Sequence, residues 1–172
     1  MQLPYRVRQF IVHVSADRQG PPHLPVDALR RLTEPMEIQF GILPPGDQRH
    51  LLHVFRRLTL WDTDEDTATA GLLHDVGKAC RTCNIGIADR CAHVVLNRLV
   101  PGPYSLFARL DAPPRWLMGL HRLANHSHRG ALAARQAGYS ERVCWLIEHH
   151  ERGGDTDDPE LQLLRKADDS SP

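Results

Sequence analysis

The sequence predicts an all-α fold, and three observations support this. Prolines and glycines cluster at a few breaks, apolar residues between the breaks recur at helical spacing, and β-branched alternation is weak outside residues 10–14. The length of 172 residues corresponds to about one domain. We therefore expect one helical domain over residues 26–172, preceded by an N-terminal arm and proline-rich linker over residues 1–25.

Local residue chemistry places the ends of the predicted helices. Pro35 is expected to end the first helix, because the residue before a proline avoids the helical region. Asp158 is a good N-cap with Pro159 at the first helical position, and Gly138 suits the position after a helix. The predicted helices span residues 26–34, 47–61, 65–79, 87–100, 115–123, 126–137, 140–151 and 159–169.

Composition disfavours two classes of protein. Lysine and arginine number 21, as do aspartate and glutamate, and zero net charge argues against a nucleic-acid binder that acts through a strong positive field. The longest stretch without a charged residue is ten residues, whereas a membrane-spanning helix needs about 20 apolar ones. The N-terminus also lacks the apolar core of a secretory signal. We expect a cytoplasmic protein with no membrane or nucleic-acid partner.

The four cysteines are expected to be reduced thiols, which is the default in a cytoplasm. Cys80 and Cys83 form a CxxC pair without the second pair that a zinc ribbon requires. An accessory metal or redox role stays open for these two residues. Cys144 lies in an apolar run and is expected in the core.

Eleven histidines in a neutral protein raise the expectation of metal binding. A helix turns about 100° per residue, so each predicted helix shows which polar residues share its apolar face. Four separate helices place one polar residue each on or beside that face: His50, His126, His150 and Asp168. In contrast, His53 and His128 point away, and His149 lies on a flank. Because a buried carboxylate is costly without partners, imidazoles around a shared cation would explain the pattern.

Adjacent His74 and Asp75 lie in the octet Gly71-Leu-Leu-His-Asp-Val-Gly-Lys78, which we expect within one continuous helix. Imidazole and carboxylate together suit borderline divalent ions such as Mn, Fe, Co, Ni or Zn. Lys78 follows Asp75 by three residues and so lies on the same side of a helix, where it would meet an anionic oxygen beside a metal. Gly71 is expected to leave room for that approach.

The octet resembles the signature of the HD superfamily of metal-dependent phosphohydrolases. His50 is similar to the first histidine of that superfamily and Asp168 to its last aspartate. His126 with Gly130 is similar to an element of HD-GYP proteins and of diadenosine tetraphosphatase-type hydrolases, and residues 147–152 resemble the HHE element of HD-GYP proteins. The Gly-Tyr-Pro element is absent, so cleavage of cyclic di-GMP is not expected.

This resemblance implies an HD-domain helical bundle with one or two divalent ions. The first ion would be held by His50, His74, Asp75 and Asp168, and the second by the bridging Asp75 with His126, His149 and His150. A metal-activated water would attack phosphorus in a small phosphorylated substrate or nucleotide, with Asp75 and Lys78 as catalytic residues. Three alternatives stay open: a non-catalytic nucleotide-sensing HD module, an HD-fold oxygenase that uses two irons, and a plain helical bundle whose histidines are scattered over the surface.

Overall fold

The computed structural model describes residues 20–83, 85–151 and 157–170, without the side chains of residues 98 and 101. This part of the chain contains ten α-helices, two 3-10 helices and no strand, which confirms the all-α prediction. The α-helices are α1 (Val26–Leu29), α2 (Glu34–Ile42), α3 (Pro45–Leu60), α4 (Glu65–Leu73), α5 (Ile87–Leu99), α6 (Pro101–Ala108), α7 (Met118–Ala124), α8 (His126–Gln136), α9 (Glu141–His149) and α10 (Pro159–Asp169). The 3-10 helices are Val76–Lys78 and Arg115–Leu117.

Several helix ends follow the predicted chemistry. The carboxylate of Asp158 accepts a hydrogen bond from the amide of Leu161 (2.9 Å), and Pro159 opens α10. Gly138 follows α8 with φ of 84°, a left-handed conformation that glycine adopts without strain. None of the helices within the described residues is both long and apolar enough to cross a lipid bilayer.

The predicted helices differ from the structure at three places. Pro35 does not end a helix but lies in the first turn of α2, where its missing N–H costs no hydrogen bond. Helix α6, with Pro101 in its first turn, was not predicted. The helix predicted over residues 65–79 stops at Leu73, and the chain continues as the short 3-10 helix Val76–Lys78. Residues 1–19 of the predicted arm lie outside the described residues, so the domain boundaries stay predictions.

One apolar core joins α3, α4, α8, α9 and α10. Fully buried leucines from four of these helices meet in it: Leu51, Leu72, Leu146 and Leu164. Gly71 faces this core rather than open space, because a Cβ there would overlap the side chain of Leu58. The predicted role of Gly71 in leaving room for a substrate is therefore wrong, and the glycine permits close packing of α4 on α3.

The helices α5, α6 and α7, here called the cap, pack on one another beside the core. The cap is tied to the core by Arg90, whose guanidinium donates two hydrogen bonds to the buried carboxylate of Asp47 (2.7 and 3.0 Å). The segment leading into the cap contains a disulfide between Cys80 and Cys83, with 5.6 Å between their Cα atoms. The expectation of reduced thiols is therefore wrong for this pair. Cys144 is buried in the core, as predicted.

Two glycines allow the 3-10 helix Val76–Lys78 to lie directly on α8. A Cβ at Gly77 would overlap the backbone oxygen of His126 and lie 2.7 Å from the backbone nitrogen of Gly130. A Cβ at Gly130 would in turn lie 3.3 Å from the nitrogen of Gly77. This backbone contact brings the residues around Asp75 next to the start of α8.

We expect Gly77→Ala to lower the free energy of unfolding by about 3 kcal/mol, because a new methyl group against backbone atoms cannot be relieved by a rotamer change. Urea denaturation followed by circular dichroism measures this. Gly41→Ala is the control, since a Cβ at Gly41 in α2 meets nothing within 4 Å. That substitution should stabilise the protein by about 0.5–1 kcal/mol. Equal effects of the two substitutions would contradict the close contact.

Candidate metal centre

His74 and Asp75 lie at the break between α4 and the 3-10 helix Val76–Lys78. His74 is the C-cap residue that follows α4, and Asp75 has φ of −100° and ψ of 2°, outside the helical region. In a continuous helix, adjacent side chains would diverge by about 100°. The break instead lets both side chains face one polar interior, where 1% of His74 and 5% of Asp75 are exposed.

Four histidines form two pairs around this interior. The Nε2 atoms of His50 and His74 lie 3.3 Å apart, and those of His126 and His150 also lie 3.3 Å apart. Three of the four belong to the helices where periodicity predicted inward histidines, and the structure brings all of them together. His128, predicted to point outward, leaves 68% of its side chain exposed.

The carboxylate of Asp75 lies between the two pairs. Its Oδ2 is 3.9 Å from Nε2 of His50 and 3.7 Å from Nε2 of His74. Its Oδ1 is 3.1 Å from Nε2 of His126 and 3.7 Å from Nε2 of His150. Each oxygen of one buried carboxylate therefore faces a different imidazole pair.

Asp168 lies beside the first pair, His50 and His74. From α10, its Oδ1 lies 2.9 Å from Nε2 of His50 and 3.6 Å from Nε2 of His74. The side chain of Asp168 is 35% exposed, whereas that of Asp75 is 6% exposed. The cluster is thus buried at Asp75 and reaches solvent at Asp168. The apolar periodicity of α10 predicted that Asp168 faces inward, and its contacts with His50 and His74 agree with that.

Backbone hydrogen bonds fix the rings of three of these histidines. The Nδ1–H groups donate to carbonyl oxygens three residues earlier: His74 to Gly71 (3.0 Å), His126 to Leu123 (2.6 Å) and His150 to Ile147 (2.7 Å). A carbonyl oxygen only accepts, so Nδ1 carries a proton and each neutral ring turns its Nε2 lone pair inward. Lone pairs facing one another and a carboxylate require positive charge between them, either protons or a cation.

The carboxylates of the cluster are held ionised. Burial alone would raise the pKa of Asp75, but the charges of Lys78 and His74 outweigh burial and hold that pKa well below its usual range. Burial also opposes ionisation of Asp168, yet hydrogen bonds from His50 and His74 keep its pKa well below normal. These groups therefore present negative charge to the interior at neutral pH.

The pKa values of the cluster histidines shift in different directions. Burial lowers the pKa of His74, but the negative charges of Asp75 and Asp168 raise it overall. Burial also lowers the pKa of His126, but nearby negative charges, that of Glu151 above all, raise it overall. Burial dominates at His150, whose pKa falls. The cluster as a whole attracts positive charge, which is the property of a cation site.

Lys78 lies beside Asp75, as predicted, with its ammonium paired to Oδ2 of that carboxylate. Only 16% of the Lys78 side chain is exposed. Burial lowers its pKa, but the charges of Asp75 and Asp47 raise it overall. The structure therefore places a permanent cation next to the carboxylate between the histidine pairs.

His149 is the one predicted ligand that the structure directs elsewhere. Its ring stacks on Trp145 with centroids 4.5 Å apart, and its Nδ1–H donates to the carbonyl of Trp145 (2.8 Å). Helix α9 ends at His149, and His150 follows with its ring in the cluster. The predicted pair is thus reduced to one ligand because adjacent residues at a helix end face different directions.

Sequence reasoning missed Glu151 and His93. Oε1 of Glu151 lies 3.7 Å from Nε2 of His126 and 3.3 Å from Nε2 of His93, which extends from α5. Burial raises the pKa of Glu151, but the charge of His126 and the hydrogen bond from His93 lower it to about 2. The HHE resemblance contained a signal for Glu151, whereas no local pattern marked His93.

Arg165 fixes the backbone at the end of α9, where His150 and Glu151 lie. Its guanidinium donates to the carbonyl oxygens of His149 (2.8 Å), His150 (3.2 Å) and Glu151 (3.0 Å). A cation at the C-terminal end of a helix also interacts favourably with the helix dipole. Arg165 precedes Asp168 by one turn of α10, so the same helix supports both sides of the cluster.

The ligand atoms are close enough to hold a metal ion. Two groups have all their ligand atoms within 4.8 Å of one another, one of His50, His74 and Asp168, the other of His74, Asp75 and His150. Neighbouring ligands of one ion lie about 3.0–3.4 Å apart when the bonds are about 2.1 Å long, and the Nε2 separations within each pair agree with this. Comparison of the chain with protein-family models, curated proteins and solved structures finds no match.

Proposed function

We propose that the protein is an HD-type metal-dependent phosphohydrolase that acts on a small phosphoester or nucleotide with two divalent transition-metal ions. The observation that supports this most directly is the carboxylate of Asp75, whose two oxygens face different imidazole pairs. The order of ligands along the chain agrees with the resemblance to the HD superfamily. Imidazoles and carboxylates together suit Mn, Fe, Co, Ni or Zn.

The ligands divide between two positions. The first ion would be held by His50, His74, Asp168 and one oxygen of Asp75, and the second by the other oxygen of Asp75 with His126 and His150. When bound, such ions supply Lewis acidity to phosphoryl oxygens and an activated water at neutral pH. Asp75 keeps the two positions together, and backbone hydrogen bonds keep the Nε2 lone pairs directed at them.

The position of Lys78 is an argument for a phosphorylated substrate. Its charged ammonium lies beside Asp75 in a poorly hydrated site, where a fixed cation stabilises negative charge more strongly than in water. An anionic phosphoryl oxygen next to the ions would meet this group. Asp168 marks the more exposed side of the cluster, from which a small substrate would enter.

The first prediction concerns metal content. We expect the purified protein to bind two divalent ions per chain among Mn, Fe, Co, Ni and Zn, measured by elemental analysis and titration. His126→Ala should retain one ion, because the ligands of the first position do not include His126. A wild-type protein that takes up none of these metals would overturn the proposal.

Asp75→Ala is expected to remove both ions and all hydrolysis, because its carboxylate serves both positions and no neighbouring side chain replaces it. Metal content and turnover are measured on the same preparation. His128→Ala and His53→Ala are the matched controls, since neither histidine belongs to the two ligand groups. Equal loss of metal in Asp75→Ala and in either control would exclude the assigned ligand set.

Hydrolysis is expected for a phosphomonoester or a nucleotide phosphoanhydride, and not for cyclic di-GMP. The assay uses metal-loaded protein with nucleoside mono-, di- and tetraphosphates, dinucleoside polyphosphates, guanosine tetraphosphate and cyclic di-GMP. Release of phosphate or of a shorter nucleotide supports the proposal. Tight binding without turnover would favour a sensor, and turnover that depends on air would favour an oxygenase.

A further inference from the structure

We propose that Glu151 is a ligand of the second metal ion and that His93 and Tyr104, both from the cap, position its carboxylate. This inference rests on the proposed two-ion site and adds three residues to which the HD resemblance assigned no role. The three side chains form one connected row, from the cap to the second imidazole pair.

The position of Glu151 fits a ligand. Its Oε1 lies 3.7 Å from Nε2 of His126, a member of the second imidazole pair. It is the second carboxylate near that pair, so each of the two positions has one carboxylate of its own besides Asp75. Arg165 fixes the backbone at this point by donating to the carbonyl oxygen of Glu151 (3.0 Å).

The hydrogen bonds of His93 distinguish it from the histidines of the cluster. A carboxylate only accepts, so the contact of 3.3 Å between Nε2 of His93 and Oε1 of Glu151 places the proton on Nε2. Nδ1 of the neutral ring then accepts the hydroxyl proton of Tyr104 at 2.7 Å. His74, His126 and His150 have the opposite arrangement, with Nδ1 protonated and Nε2 facing the ion positions.

This difference assigns the roles. A ring that offers an inward lone pair can bind a metal, whereas a ring that donates Nε2–H to a carboxylate orients that carboxylate. Tyr104 is 6% exposed and packs edge-on against His93, with ring centroids 5.6 Å apart. The hydroxyl of Tyr104 therefore sets the proton position on His93, and His93 in turn holds Glu151 towards His126.

The connection gives the cap a function in metal binding. His93 belongs to α5 and Tyr104 to α6, so the second ion position depends on helices that themselves contribute no ligand. The first position, with ligands from α3, α4 and α10, does not depend on them. Substitutions in the row should thus affect one ion and spare the other.

The test uses the full-length protein and Co²⁺ alone, with stoichiometry and affinity followed by visible absorption. Glu151→Gln should lower the affinity for the second Co²⁺ and leave the first unchanged. His93→Leu and Tyr104→Phe should each weaken the second site about tenfold, the range seen when outer partners of ligands are lost. His93→Gln keeps an N–H donor near the Nε2 position and should retain more affinity than His93→Leu.

Tyr139→Phe is the matched control, because it also removes a hydroxyl with defined partners, the amide of Thr33 (3.0 Å) and the carbonyl of Arg31 (2.8 Å). It should lower the melting temperature without changing either Co²⁺ affinity. If it weakened the second site as much as Tyr104→Phe, the positioning role would be excluded. Unchanged second-site affinity in both Glu151→Gln and His93→Leu would overturn the inference and leave the two-ion proposal intact. A wild-type protein that binds no Co²⁺ at all would overturn both.

Discussion

The burial of one carboxylate, that of Asp75, is the constraint on which the rest of the site depends. An ionised carboxylate in a protein interior is costly unless surrounding groups compensate it. Here Lys78 and His74, from the same segment, do so together with three histidines from distant parts of the chain, His50, His126 and His150. The helices α3, α4, α8 and α9 must therefore meet with the correct rotation and spacing, which their apolar core and the contact of Gly77 with α8 provide.

Helical periodicity identified residues that the structure does bring together. Apolar spacing alone placed His50, His126, His150 and Asp168 inward, because a helix that buries one stripe fixes the direction of every other side chain. The same reasoning failed at the end of α4, which it continued through Asp75 although the backbone changes direction there. At His149, periodicity indicated a flank position, and only the family resemblance implied a ligand.

Residues that depend on tertiary contacts had no local signal. His93 and Tyr104 lie in the cap, and their link to Glu151 appears only once α5 and α6 pack on each other and on α7. Gly71 and Gly77 did have a local signal, but their role also depends on tertiary contacts. Both occur in the recognisable octet, but what each permits is close contact with a neighbouring element, not space for a substrate.

The direction of imidazole protons links the fold to the proposed chemistry. Carbonyl oxygens near helix ends accept from Nδ1 of His74, His126 and His150, so the backbone turns Nε2 of each ring inward. At His93 we infer the opposite proton position, because Nε2 lies 3.3 Å from the carboxylate of Glu151 and Nδ1 lies 2.7 Å from the hydroxyl of Tyr104. In the proposed site one residue type would thus serve both as ligand and as support, and its hydrogen-bond partner would determine which.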